Sequence, residues 1–273
     1  MIPFVKWAGG KRQLANHLHA LMPTNYQAYY EPFLGGAALL FFVQPTVPVY
    51  INDVNAQLIH VYRTIRDSTE EFINTVNELD VSVCNKERYY YIRECYNRNI
   101  VNQVFDVKTA ALFVYLNKHC FNGLYRVNMK GLFNVPWNHK ENVNSIDEEN
   151  IRSIALYLRQ NEVTITNSDF ELACESCKEG DFVYFDSPYD ILSKTASFVD
   201  YTKESFKEED HIRLAALYRN LTKRGVFCLL TNHDTPLIKK LYNGFYIEEV
   251  EVQRAINSNA SKRKGREVII RNY

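Results

Sequence analysis

Between Tyr26 and Asp53 the chain passes through a strand, a glycine turn, a helix and a second strand, and this order constrains the fold more than any other feature. Tyr26 to Phe33 reads as a strand, Leu34-Gly35-Gly36 breaks it, and Ala37 to Phe42 begins a helix. Val49 to Asn52 then forms a second strand that ends at Asp53. Such a βαβ unit calls for parallel strands with a helix laid across the sheet. Open sheets of this kind bind ligands outside the C-terminal ends of their strands. Both the glycine pair and Asp53 fall there.

Ala56 to about Cys120 reads as mostly helical, with Leu58, Tyr62 and Ile65, and later Leu112, Tyr115 and Leu116, at helical spacing. The pattern fails from Phe121 to Lys140, where Asn, Gly, Pro and basic residues crowd a loop, and resumes around Ile151, Ile154 and Leu158. Val163 to Thr166, Phe182 to Phe185 and Val226 to Leu230 read as later strands. A helix carrying Leu214, Leu217, Tyr218 and Leu221 on one face opens with a capping box, Ser205-Phe-Lys-Glu208, and stops near Gly225. Tyr246 to Val252 and Glu267 to Arg271 read as two final, adjacent antiparallel strands. The expected architecture is an α/β sheet domain, 1–59 and 159–273, interrupted by a helical insertion, 60–158.

Composition narrows the class. Aromatic residues make up 14% of the chain and apolar residues 46%, which argues for a packed core against disorder. The formal net charge is zero, so any polyanion must be met by a local positive face. The six cysteines follow no disulfide framework, and Cys174-Glu-Ser-Cys177 lacks the second pair a zinc site needs, so it reads as two small residues on a helix and no metal is expected. The first residues have no signal-peptide pattern and no stretch approaches a membrane span, so a cytoplasmic protein is expected.

Four stretches carry chemistry. In Tyr30-Glu-Pro-Phe-Leu-Gly-Gly36 the glycines let backbone approach a ligand, and Asp53, about 20 residues on, suits a ribose diol. The spacing is not GxGxxG, and Gly9-Gly10-Lys11-Arg12 lacks the Ser or Thr of a P-loop, so an adenosine-type cofactor other than NAD or ATP is indicated. In Asp181-Phe-Val-Tyr-Phe-Asp186-Ser187-Pro188-Tyr189 a buried strand ends in a carboxylate, a proline-stiffened turn and an aromatic. That order suits methylation of an aryl amine. Its nitrogen lone pair is delocalised, and two acceptors near its hydrogens free that pair. Asp186 can supply one acceptor and the Ser187 carbonyl the other, with Tyr189 stacking on the base. The third stretch, Asn117 to Pro136, mixes Arg126, Asn122, Asn128, Asn134 and aromatics on a loop, the residue types that read base edges and wedge between bases. The fourth, Lys262-Arg-Lys-Gly-Arg266, reads as a basic loop between the last strands and suits phosphates.

Together these stretches resemble the Dam-type adenine-N6 DNA methyltransferases, in the family's order from Lys6 onward. Lys6-Trp7-Ala-Gly-Gly-Lys11 resembles the N-terminal cofactor motif, Glu31-Pro-Phe-Leu-Gly-Gly36 the glycine motif and Asn52-Asp53 the acidic one. Asn167-Ser-Asp169-Phe170 is similar to the segment near the cofactor's adenine. Phe121 to Asn128 with Phe133 to Pro136 resembles the recognition loop, and Thr195 to Tyr201 the loop after the catalytic motif.

The resemblance implies S-adenosylmethionine bound through Trp7, Lys11, Phe33, Gly35, Gly36, Asp53, Asp169 and Phe170, with Asp186 between cofactor and target. It implies catalysis by Asp186, Ser187, Pro188 and Tyr189 on a flipped adenine, and a helical insertion that recognises the target. The partner would be double-stranded DNA, with no membrane and no obligate protein partner. Lys6 and Arg126 would read guanines of a GATC site, Phe121 and Asn122 would contact the bases beside the flipped one, and Leu124, Asn128, Pro136, Ser197 and Tyr201 would complete the DNA face. Two residues depart from the pattern. Ser187 stands where the family's Asp-Pro-Pro-Tyr has its first proline, and Ala37 where relatives often carry a third glycine. The first departure keeps open a relative silenced at Ser187 that binds DNA without methylating it; an RNA or protein amine methyltransferase is the other alternative.

Overall fold

The structure, a computed structural model, describes residues 1–7, 9–160, 163–190, 206–253 and 264–273. After α1 (Ala15–Leu21) the first strand, β1 (Tyr29–Glu31), is shorter than the Tyr26 to Phe33 run. Its flanks lie outside the ladder and are tied elsewhere: the Gln27 N–H donates to the Gly180 carbonyl and the Leu34 N–H to the Asn52 carbonyl. Helix α2 (Ala38–Val43) begins one residue later than its apolar run, because Ala37 is left-handed at φ 56° and serves as its N-cap. β2 (Val49–Asn52) follows as expected.

The helical middle resolves into α3 (Ala56–Asp67), α4 (Thr69–Asp80), α5 (Lys86–Val101), α6 (Val107–His119) and α7 (Glu148–Gln160). Three of these starts are set by side-chain caps: Asn55, Asn85 and Asp106 each accept a backbone N–H from the first turn of α3, α5 and α6. A cluster of buried side chains joins Tyr62, Phe72, Tyr89, Tyr96 and Tyr115 of these helices to Tyr29 and Ile51 of the sheet.

β3 (Val163–Thr166), α8 (Phe170–Ala173), β4 (Phe182–Phe185), α9 (Glu208–Lys223), β5 (Phe227–His233), α10 (Pro236–Leu241), β6 (Tyr246–Gln253) and β7 (Lys264–Arg271) complete the chain. The seven strands form one sheet in the order β3-β2-β1-β4-β5-β7-β6. The first five are mutually parallel, and β7 runs antiparallel between β5 and β6. Alternation divides the sheet: Tyr29, Ile51, Phe182, Tyr184 and Leu229 join the core cluster with α2, α3 and α7, while Tyr30, Val183, Phe185, Cys228 and Leu230 meet α9 and α10. The order reverses between β1 and β4, and a crevice at such a reversal is where open α/β sheets take ligands.

Three local expectations change. The box at α9 stands two residues later: the Lys207 N–H donates to Asp210, because the helix begins at Glu208 and Asp210 then occupies its third position, and Ser205 lies outside the described residues. Cys174 caps the C-terminus of the short α8 and Cys177 lies in the turn beyond it, so the pair does not ride on a helix. Lys264, Gly265 and Arg266 are strand residues of β7 paired with Gln253, Val252 and Glu251, not loop; Lys262 and Arg263 lie outside the described residues.

Candidate active site

β4 is buried along its whole length and delivers Asp186 to the C-terminal edge of the sheet. Asp186 Oδ1 receives two donors. Lys11 Nζ approaches to 2.7 Å and Thr231 Oγ1 to 3.0 Å. Thr231 sits on β5, and its oxygen is 3.1 Å from the Tyr184 hydroxyl. Since Thr231 spends its proton on the carboxylate, Tyr184 is the donor to Thr231. The relay therefore fixes one oxygen of Asp186. Among the described residues no hydrogen bond falls on Oδ2.

The turn after Asp186 is pinned to the end of β5. Ser187 is buried, and its Oγ accepts from Asn232 Nδ2 at 3.3 Å. Asn232 Oδ1 accepts the Asp190 N–H at 3.0 Å, and Thr235 Oγ1 donates to Asp190 Oδ2 at 2.6 Å. His233 Nδ1 is 2.7 Å from the Asp190 carbonyl, which can only accept, so Nδ1 carries the proton. Pro188 is exposed. The Tyr189 ring meets His233 edge-on at 4.7 Å, lies under Lys11 Nζ at 4.4 Å, and donates its hydroxyl to Glu267 Oε2 at 2.9 Å. Burial and the Asp186 and Glu267 charges push the Tyr189 phenol well above its ordinary value. Below the crevice lies Glu31, buried at 2% exposure and bonded by the Tyr29 hydroxyl at 2.8 Å. Burial is the main cause that pushes its carboxyl up to about 8, with Asp186 adding to it.

On the β1–β2 side, Gly35 adopts φ +48°, and a Cβ there would stand 2.7 Å from the Trp7 indole. Gly36 packs under the same side chain. Asp53 ties this turn to β2: Oδ2 accepts the Gly35 N–H at 2.9 Å and Oδ1 the Asn55 N–H at 2.9 Å. Asp169 caps α8 and is held by Arg213 at 2.9 Å, while Phe170 packs on Phe33 at 5.3 Å. Lys11, expected beside a cofactor, has its ammonium on Asp186 and on the Gly9 carbonyl.

The stretch expected to recognise the target is a hairpin. One 3-10 turn, Phe121–Gly123, leads into a bridge between Val127 and Phe133, closed by Asn128 N–H to Leu132 and Gly131 N–H to Asn128. Arg126 Nε donates to Asn134 at 2.8 Å, which aims the guanidinium along the hairpin. Phe121 is half exposed, Asn122 left-handed and exposed, Leu124 half-buried, and Asn128 and Pro136 exposed. Buried Asn117 fastens the hairpin to the N-terminal motif: Oδ1 accepts the Lys6 N–H at 2.8 Å, and Nδ2 donates to the Lys6 and Gly123 carbonyls at 2.9 and 3.1 Å. Trp7 stacks on Tyr125 at 5.6 Å. Lys6, Arg12 and Lys118 make no ion pair among the described residues. Burial and the other two charges pull Lys118 down to about 8. Ser197 and Tyr201 lie outside the described residues.

The sequence reading gave no individual role to Glu31, Asn117 and Lys118, which lie inside the stretches it singled out, and it missed Thr231, Asn232, His233 and Glu267 altogether. The available signal was the polar run Thr231-Asn232-His233 closing an apolar strand. Polar residues at the C-terminal end of a buried parallel strand face the ligand edge.

A parallel sheet that ends in two antiparallel strands, with a glycine turn after β1 and an acid-tipped β4, defines a methyltransferase of Rossmann-like fold. Residues 7–256 match the family described as D12 class N6 adenine-specific DNA methyltransferase, and the chain belongs to that family. It is 42% identical over 274 residues to the type II methyltransferase M1.LlaDCHI of Lactococcus lactis subsp. cremoris, covering 99% of this chain and 95% of the relative. To the type II methyltransferase M.MjaIII of Methanocaldococcus jannaschii it is 40% identical over 288 residues, covering 99% of both. To the DNA adenine methylase of Escherichia coli it is 33% identical over 266 residues, covering 96% of this chain and 91% of the relative. Among the described residues no helix is long and apolar enough to cross a membrane.

Proposed function

We propose that the chain methylates N6 of adenine in duplex DNA, within GATC, using S-adenosylmethionine. The observation that carries the reading is the differential use of Asp186: Lys11 and Thr231 occupy Oδ1, which leaves Oδ2 for a hydrogen of the target amine. The Gly35 turn suits a cofactor because it offers bare backbone packed against the Trp7 indole, where a Cβ would stand 2.7 Å from the ring, and because Asp53 fixes its N–H. Trp7, Phe33, Gly35, Gly36, Asp53, Asp169 and Phe170 would hold it. When bound, S-adenosylmethionine supplies an electrophilic methyl group.

The protein's part is orientation and fixed acceptors. The adenine must leave the duplex, because its amine is out of reach in the stack. Asp186 Oδ2 and the Ser187 carbonyl accept the two amine hydrogens and release the nitrogen lone pair. Tyr189, held by Glu267 and His233, stacks on the base. The excess proton passes to solvent or through Asp186. The 60–158 helices with their hairpin act as the target-recognition domain. Arg126 of the hairpin and Lys6 of the N-terminal motif beside it read guanines, and Phe121, Asn122, Leu124, Asn128 and Pro136 line the DNA face. The cluster of Lys6, Arg12 and Lys118 gives a neutral chain a local positive face for phosphates. Methyl transfer from labelled cofactor to a GATC duplex and to a scrambled one tests the reading. Label in adenine of the GATC duplex alone supports it. Label in both removes the sequence specificity, and selective binding without label makes the chain a silenced DNA-binding relative.

A further inference from the structure

We propose that Asn232 is a positioning residue for methyl transfer, acting through a side-chain bond to Ser187 that aims the Ser187 carbonyl at the target amine. The inference rests on the assignment of Asp186 and the Ser187 carbonyl as the two amine acceptors.

The geometry separates the two ends of the turn. Asp190, at its far end, is held three ways: by Asn232 Oδ1 on its N–H, by His233 Nδ1 on its carbonyl and by Thr235 on its carboxylate. Ser187, at the near end, is tied to β5 by one bond only among the described residues, Asn232 Nδ2 to Oγ at 3.3 Å. Both partners are buried, Ser187 at 2% and Asn232 at 1% exposure, so water is a poor substitute for the bond. Asn232 Oδ1 is itself fixed by the His233 N–H at 2.8 Å, and this sets the plane of the carboxamide and the direction of Nδ2. The hydroxyl of Ser187 thus supplies a restraint by hydrogen bonding where a proline would supply one by its ring. Proline at 187 would have no side-chain oxygen to accept from Nδ2, so the bond to Asn232 depends on the serine.

A carbonyl swung away from the amine lowers the transfer step but leaves both ligands bound. Single-turnover methyl transfer with saturating cofactor and prebound duplex, together with the two binding constants, is the test. Ser187→Ala is expected to slow transfer about tenfold, with the binding constants for cofactor and DNA unchanged. Ser187→Thr, which keeps the hydroxyl, recovers most of the rate. Ser187→Ala added to Asn232→Ala costs nothing further, because the bond is already gone. Asp186→Ala serves as the reference: if it still transfers methyl at the wild-type rate, the acceptor assignment itself is wrong. If Asp186→Ala is dead but Ser187→Ala keeps the wild-type rate, or the Ser187 and Asn232 losses multiply, the positioning role of Asn232 is overturned. Should Asn232→Ala not fold, the alanine and threonine variants of Ser187 decide the matter between them.

Discussion

Replacing Glu31 by glutamine should make the protein's stability less dependent on pH, and the size of the effect follows from the site. The carboxyl is buried, faces the charge of Asp186, and is pushed from an ordinary 4.5 up to about 8, despite hydrogen bonds from Tyr29 and from the backbone at Leu40. In the unfolded chain the same group ionises near its ordinary value. The raised folded value therefore contributes stability that is fully present below the unfolded pKa and is lost as pH rises through about 8. From about pH 5.5 to about pH 8.5 the loss amounts to about 3 kcal/mol, taken from the gap between the two values. Glu31→Gln keeps an oxygen for the Tyr29 hydroxyl and has nothing to ionise. Other groups titrate in both proteins, so the useful quantity is the difference between them at each pH. Urea unfolding at the two pH values should find the variant gaining on the wild type by about 3 kcal/mol at the alkaline end. Asp186→Asn, which removes the neighbouring charge, should reduce the wild-type slope. A difference between the wild type and the Glu31→Gln variant that stays constant within about 0.5 kcal/mol across this range would refute the reasoning.

Thr231→Val removes a donor from Asp186 and leaves the buried Tyr184 hydroxyl without its acceptor, so it should cost about 1–3 kcal/mol of stability and slow methyl transfer. Adding Tyr184→Phe should return the stability measured by urea unfolding but not the rate, and recovery of both would mean that Thr231 serves packing alone. Gly35→Ala places a methyl 2.7 Å from the Trp7 indole at φ +48°, so calorimetry with S-adenosylhomocysteine should find at least about tenfold weaker binding; an unchanged constant would detach this turn from the cofactor. Arg126→Ala should cost about 1–3 kcal/mol in DNA binding and relax one base position, as judged by competition among single-substituted duplexes; intact discrimination would mean that Arg126 is not a base reader.

How far the sequence was legible depends on the range of the interactions concerned. The βαβ unit, β4 with Asp186 and the antiparallel last pair could be read because each follows from local periodicity and a chain break. The ends were less legible. Tyr26 to Phe33 reads as a full strand, yet β1 is three residues long, and Gln27 and Leu34 at its flanks bond to the distant Gly180 and Asn52 carbonyls. The box at α9 slipped because Glu208 and Asp210 both offer a carboxylate near Ser205 and Lys207, and local chemistry alone does not choose between them. The site's supports were hidden for another reason. Asn117 bonds Lys6 across 111 residues, and Thr231 and Asn232 reach Asp186 and Ser187 across 45. No window of sequence contains both partners, so these residues became visible only once β5 lay beside β4.

The reversed strand has a chemical consequence as well as a topological one. β7 enters between β5 and β6 in a register that sets Glu267 opposite His233. These two residues hold Tyr189 from different sides: His233 packs against the ring and Glu267 takes the hydroxyl. Tyr189, the aromatic proposed to stack on the base, is therefore located by the pairing of β5 with β7, although it belongs to the turn after β4. A slip of β7 by one residue would put Arg266 or Val268 in that position and turn Glu267 to the opposite face of the sheet. The register is guarded by burial: Val268, Ile269 and Ile270 are fully packed, and a slip would exchange which of them faces each core. The hydrophobic pattern of the last strand thus fixes where Tyr189 stands, and any change that loosens β7 should slow methyl transfer before it weakens cofactor binding.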